Sequence, residues 1–242
     1  MPEGPSIVIL KEDVAEFDRK KILSATGAAD LDFSRLENKS PKFRTWGKHF
    51  LICFDDFTVR IHLLMFGTYL INETKHLVPK LSLHYKNGEV NFYTCNIKVL
   101  EGDIDDHYKW DEDVMDDKWS TRKARNKLKK IPDTLICDAL LDQDIFAGVG
   151  NIIKSEVLYR VRIHPESIIG KIPPKKITEI LNEARNYSYD FLKWKKKDVL
   201  KKNWLAYAKK VCLRCDLPII KKNTGKNSRR SFYCENCQKL HK

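Results

Sequence analysis

The sequence contains no apolar run of roughly eighteen residues, the least that a helix needs to cross a bilayer. Its first apolar stretch, Ile7 to Leu10, is short and runs directly into Lys11-Glu12-Asp13, so an ordinary secretory leader is not expected. Cysteines number seven in 242 residues. An odd, sparse set argues against a disulfide framework and fits a reducing compartment. No internal repeat is present, and no glycine occurs between Gly170 and Gly225. These absences predict a soluble, cytoplasmic chain without membrane attachment, monomeric by default. What is present is enough apolar residue, 42% of the chain, for a real core, and enough length for two domains.

The charge is lopsided. Residues 170–242 hold 20 Lys/Arg against 6 Asp/Glu, whereas residues 1–169 hold 25 against 27, so essentially all of the net +12 lies in the last third. Lysine is abundant throughout, but general abundance does not explain the asymmetry. A basic region joined to a near-neutral one predicts a polyanionic partner, most often nucleic acid.

Pro5 to Phe17 is predicted as a helix: proline suits a first turn, and Ile7, Leu10, Val14 and Phe17 recur at helical spacing. From Trp46, two β-branched and aromatic runs flank Asp55-Asp56, and alternating runs flank Asn87-Gly88, a hairpin signal. Residues 101–117 carry nine acids and one lysine, and 118–130 turn basic before Pro132. This switch is the expected linker. From Thr134 the chain reads as helical, with two apolar-periodic segments around Gly148-Val149-Gly150-Asn151 and another helix from Lys175 to about Trp194. The cluster of lysines at 193–202 is the one compositionally biased segment.

The strongest signal is at the end. Cys212 and Cys215 form one knuckle and Cys234 and Cys237 a second, with eighteen residues between them. This spacing suits one tetrahedral Zn²⁺ held by four thiolates, structural because no position stays open. A segment so polar has little to bury, so the metal supplies folding free energy. Lys221, Lys222, Lys226, Arg229 and Arg230 lie between the knuckles, either as a solvated basic loop or as a hairpin that clamps phosphates. Cys53, Cys95 and Cys137 sit in apolar runs as small buried hydrophobes.

The opening Met1-Pro2-Glu3-Gly4-Pro5-Ser6 is either a loosely held end or something sharper. A small second residue permits removal of Met1, which leaves Pro2 as a free secondary amine beside Glu3. Four separated pieces together decide the reading: "PEGP", "WGKHFL", "DQDIFAGVGNIIKSEVLYRVRIHP" and the four-cysteine segment with "RRSFYC". In this order the sequence resembles the formamidopyrimidine-DNA glycosylase / endonuclease VIII family over nearly its whole length. The resemblance implies an α+β fold. An N-terminal helix plus antiparallel β-sandwich occupies 1–115, a linker 116–130, a helical domain with a helix–two-turn–helix element 131–206, and a zinc finger 207–242. DNA is expected to cross the cleft between the two main parts.

The resemblance implies a bifunctional DNA glycosylase/AP lyase of base-excision repair acting on damaged double-stranded DNA, and so a chain associated with the nucleoid. Pro2 would be the nucleophile, Glu3 the general acid/base, and Lys48 the contact to the phosphate beside the lesion. On spacing alone, Lys48 would be a solvent-exposed strand residue and Asn151 a helix cap; the resemblance assigns Asn151 and Arg229 to phosphate contacts. Leu64, Met65 and Phe66 are either core residues or the wedge that fills the gap left by an extruded base. His62 nearby is read as structural. Ser6 departs from the family's usual glutamate. The absent glycine-rich loop before the finger, together with "PEGP", favours oxidised pyrimidines over 8-oxoguanine as substrate. A non-catalytic zinc protein that binds nucleic acid by charge is the reading from another class.

Overall fold

The computed structural model describes residues 2–242; Met1, whose removal the proline reading requires, lies outside the described residues. The chain divides into two compact units, the first ending at Lys109 and the second beginning at Trp110.

The first unit opens with α1 (Gly4–Asp13), whose Pro5 sits in the first turn where its missing N–H costs nothing. A 3-10 turn at Ala15–Phe17 continues it, and Ile7, Leu10, Val14 and Phe17 are all buried, as the helical period demands. The strands are β1 (Ser24–Thr26), β2 (Lys42–Trp46), β3 (His49–Cys53), β4 (Phe57–His62), β5 (Thr68–Ile71), β6 (Leu81–Tyr85), β7 (Gly88–Tyr93) and β8 (Asn96–Glu101). They form two antiparallel four-stranded sheets, ordered β1-β6-β7-β5 and β2-β3-β4-β8. The β6–β7 hairpin pairs Tyr85 with Gly88, so the turn is Lys86-Asn87. The β3–β4 hairpin pairs Cys53 with Thr58 around Asp55-Asp56, and the same register sets His49 opposite His62. Phe50, Phe57, Val59, Ile61 and Phe92 fill the core, and α1 packs on β2 and β3. A short α2 (Ile104–His107), capped by Asp103, follows the last strand.

The second unit contains α3 (Thr121–Leu128), α4 (Ile136–Ala139), α5 (Asn151–Arg160), α6 (Pro174–Lys196) and the hairpin of β9 (Ile220–Thr224) and β10 (Arg229–Tyr233). Residues 116–130 are therefore not a linker. Ser120 caps α3, and Ala124 and Leu128 bury themselves in this unit's core. The boundary lies before them, and the physical reason is charge matching: Lys123 pairs with Asp111 and Lys127 with Glu112. An acidic stretch followed by a basic one is here a set of intramolecular ion pairs. The finger is likewise no separate unit, because Cys212, Ile219, Phe232 and Cys234 share a core with Tyr159 of α5 and with Ala206. Among the described residues, no helix is long and apolar enough to cross a membrane.

Candidate functional site

The first unit holds Pro2, Glu3, Lys48 and the 64–66 triplet. Glu3 precedes α1 in an extended conformation, and its backbone carbonyl accepts the Ser6 N–H at 2.8 Å. Its side chain makes no capping bond to the helix yet is fully buried, whereas Pro2 is half-buried.

Lys48 lies between β2 and β3, after Gly47, which takes a φ of +53° that closes the turn. It is half-buried and lies near His49, His62 and Arg60, a grouping that sequence reasoning missed. His49 and His62 face each other across the β3–β4 hairpin with ring centroids 5.4 Å apart, and Arg60 is two residues along the same face. Burial, then Arg60, His62 and Lys48, holds the His49 pKa down to about 3. Burial, then Lys48 and Arg60, lowers that of His62 as well. The neutral rings are therefore free to accept: Tyr108 Oη lies 3.0 Å from His49 Nδ1, and the Leu64 N–H donates to His62 Nδ1 at 3.1 Å. The register of the hairpin was the signal available in the sequence.

The Leu64–Phe66 triplet is not core. Leu64 is 49%, Met65 52% and Phe66 76% exposed. Leu64 takes a φ of +52°, and the turn closes with Gly67 N–H donating to the Leu63 carbonyl at 2.7 Å. Gly67 is required there, since a Cβ would lie 2.1 Å from that carbonyl oxygen. Three large apolar side chains are thus held out in water on a closed turn.

The second unit brings together Asn151, Arg229 and the four cysteines. Gly150, not Asn151, is the cap residue of α5. The Asn151 Oδ1 is buried without a hydrogen-bond partner among the described residues. The turn before it is stapled by Gln143, which accepts the Gly148 N–H at 3.1 Å and donates to the Val149 carbonyl at 3.2 Å. Arg229 opens β10 opposite Thr224 and is exposed. The tip of this hairpin is fixed, because Asp138 accepts the Lys226 N–H and Gly225, at φ +74°, leaves no room for a Cβ against Asp138.

Cys212, Cys215, Cys234 and Cys237 place their sulfurs within 4.8 Å of one another, with contacts of 3.8 Å between Cys212 and Cys237 and 3.5 Å between Cys215 and Cys234. Four thiolates bonded at ~2.3 Å in a tetrahedron have edges of about 3.8 Å, so the cluster fits a metal ion. The Tyr159 hydroxyl lies 3.2 Å from the Cys212 sulfur and supports it from α5. Of the remaining cysteines, Cys95 and Cys137 are buried, and burial raises the Cys95 thiol to about 11, in keeping with inert packing.

A β-sandwich unit, together with a helical unit that carries a helix–two-turn–helix element and a four-cysteine hairpin, defines the fold of one class of DNA glycosylases. Residues 112–197 match the formamidopyrimidine-DNA glycosylase H2TH domain. The chain is 29% identical over 204 residues to Endonuclease 8-like 3 of Mus musculus, covering 81% of this chain and 34% of that protein. It is 26% identical over 280 residues to formamidopyrimidine-DNA glycosylase of Halalkalibacterium halodurans, covering 99% and 100%. The structure of Lactococcus lactis formamidopyrimidine-DNA glycosylase bound to DNA with an AP site superposes with a TM-score of 0.86 at 21% identity, covering 98% of this chain and 99% of that one. The chain thus carries the H2TH domain of the formamidopyrimidine-DNA glycosylases and has their fold, and it is similar to both formamidopyrimidine-DNA glycosylases and Endonuclease 8-like proteins. It spans about a third of the length of the Endonuclease 8-like 3 relatives that it matches.

Proposed function

We propose that this chain is a bifunctional glycosylase/AP lyase of base-excision repair that acts on oxidised bases in DNA. The observation that carries the reading is the pairing of a buried, non-capping Glu3 with Pro2 in a chain that shares the family's fold. With Met1 removed, the Pro2 amine attacks C1′ of the damaged nucleotide and the base leaves with its bonding electrons, protonated on departure. An α-amine with an ordinary pKa near 8 has a substantial neutral fraction close to neutral pH. The iminium so formed withdraws electrons and acidifies C2′. Loss of that proton expels the 3′ phosphate, and a second elimination expels the 5′ phosphate. Glu3 protonates the sugar ring oxygen as the ring opens. The tie of Phe43 N–H to Asp18 (2.5 Å) fixes the far end of the helical segment at the start of β2. That favours placing Pro2 toward the other end of the strand, where Lys48 takes a phosphate.

Asn151 and Arg229 hold phosphates from the second unit, and the exposed 64–66 wedge fills the space of the extruded base. The four cysteines hold Zn²⁺, which supplies folding free energy to the finger and takes no part in the chemistry. Oxidised pyrimidines are the favoured substrates. Residues 197–211 are compact: Glu156 accepts the backbone N–H groups of Leu205, Ala206 and Tyr207 at 2.8–3.0 Å. That anchoring leaves little chain to fold over a purine, and the Endonuclease 8-like relatives support the same branch. The test offers the processed protein duplexes with thymine glycol or 8-oxoguanine. Faster strand cleavage at thymine glycol supports the substrate assignment, and faster cleavage at 8-oxoguanine overturns it.

A further inference from the structure

Six of the ten residues from 193 to 202 are lysine, and none of the contacts described above uses them. All six are exposed. The buried stripe of α6 runs through Ile177, Ile180, Leu181, Ala184, Tyr187, Ser188 and Phe191. At 100° per residue, Lys193, Lys196 and Lys197 fall on the opposite face. Cations in a last helical turn are stabilised by the helix dipole, which accounts for part of the cluster. The dipole does not account for Lys201 and Lys202, which follow the helix in a separate 3-10 turn at Leu200–Asn203.

The segment is ordered rather than a frayed tail. Val199 N–H donates to the Trp194 carbonyl at 2.9 Å, Lys202 N–H to the Val199 carbonyl at 3.1 Å, and Asn203 Nδ2 to that same carbonyl at 2.9 Å. Trp194, Leu200 and Trp204 pack against the unit's core and carry the bend. Among the described residues, Lys193, Lys195, Lys197, Lys201 and Lys202 are held in no ion pair, and one acid, Asp198, interrupts the run. Five unneutralised cations on a supported bend repel one another, and a polyanion relieves that repulsion.

The position of the bend separates it from the phosphate contacts assigned to Asn151. Trp194 lies 5.8 Å from the Arg160 guanidinium, at the carboxyl end of α5. Asn151 opens the same helix. Nine residue steps at 1.5 Å put about 14 Å between the two ends, or roughly four base pairs of B-DNA.

We infer that the 193–202 bend is an auxiliary DNA-binding surface. It tracks backbone phosphates flanking those held by Asn151 and Arg229, without reading sequence or damage. The inference rests on the nucleic-acid part of the reading above and not on its chemistry.

The test uses the full chain and an undamaged duplex of about thirty base pairs, so that catalysis plays no part. One variant carries Lys193→Gln, Lys197→Gln, Lys201→Gln and Lys202→Gln. A control removes four exposed lysines of the first unit instead: Lys11→Gln, Lys20→Gln, Lys21→Gln and Lys86→Gln. Each phosphate neutralised contributes about 0.9 to the slope of log affinity against log salt. The bend variant is expected to lose tenfold or more in affinity near 0.1 M salt and to flatten the slope by about 2–4. The control should stay within about twofold, and the corresponding four Lys→Arg changes at the bend should bind like the parent. Equal losses in the two Gln variants would reduce the effect to net charge and overturn the inference. So would unchanged affinity of the bend variant, or a loss confined to anionic phosphatidylserine vesicles. If the parent itself binds no duplex, the nucleic-acid reading falls as well. A parent that binds DNA through the bend but cleaves no lesion leaves this inference standing and overturns the proposed chemistry alone.

Discussion

Lys154, fully buried in α5, donates its ammonium to the backbone carbonyl of Arg230, 3.1 Å away in β10. Asn151 stands one turn before Lys154 on the helix, and Arg229 stands one residue before Arg230 on the strand. A buried hydrogen bond thus ties the helix that carries one of the residues assigned to phosphate to the strand that carries the other. Lys154→Met preserves volume but leaves that carbonyl unsatisfied, at a cost of about 1–3 kcal/mol. The urea midpoint should fall without a change in slope, and duplex affinity should drop at least threefold. Unchanged affinity in a folded variant would show that the tie does not position Arg229.

The wedge assignment separates stability from activity. Phe66→Ala and Met65→Ala remove side chains that stand in water, so folding stability should change by less than ~0.5 kcal/mol. Strand cleavage should fall tenfold or more. Phe50→Ala, at a buried core position, is the contrast and should cost about 3–5 kcal/mol. A large stability loss on changing Phe66 would return the triplet to the core.

Acid should weaken the first unit through His49. Its pKa is lowered from the ordinary 6.5 to about 3, so the folded state binds fewer protons than the unfolded chain between those values. The neutral ring's contribution is complete above about pH 6.5, erodes below it, and is gone below about pH 3. Denaturant titrations at pH 7 and pH 4.5 should show a loss of stability that is smaller in His49→Gln. An equal loss in both proteins would assign the acid sensitivity elsewhere.

Removal of metal should act on the finger. The purified chain is expected to hold one Zn²⁺, and stripping it with a chelator should lower duplex affinity at least tenfold while the β-sandwich stays folded. Cys234→Ser should do the same without a chelator. Full affinity in metal-free protein would show that the thiol cluster is not a metal site.

These particulars also show which parts of the molecule are readable from sequence. The hairpin around Asp55-Asp56, the hairpin signalled by Asn87-Gly88 (its turn falls one residue earlier, at Lys86-Asn87), the helix from Gly4 and the four-cysteine cluster are local signals, written in periodicity and short spacing. What the sequence hides depends on partners far along the chain. Lys154 looks like a surface lysine until Arg230, 76 residues later, covers it. Glu156 looks like a solvated helix acid until the amides of Leu205 to Tyr207 close on it, 49 to 51 residues on. The 116–130 stretch imitates a linker because two of its lysines, Lys123 and Lys127, are matched by acids that precede it, a pairing that composition alone does not display.

The central claim is amine catalysis by Pro2, and borohydride trapping tests it most directly. Processed protein, its first residue verified as proline, is mixed with a duplex containing thymine glycol and reduced. A covalent protein–DNA adduct is expected, and Pro2→Gly should abolish or sharply reduce it while duplex binding persists. An absence of adduct with thymine glycol, 8-oxoguanine and abasic duplexes alike, in protein that binds all three, would contradict the claim and leave a nucleic-acid-binding protein without this chemistry.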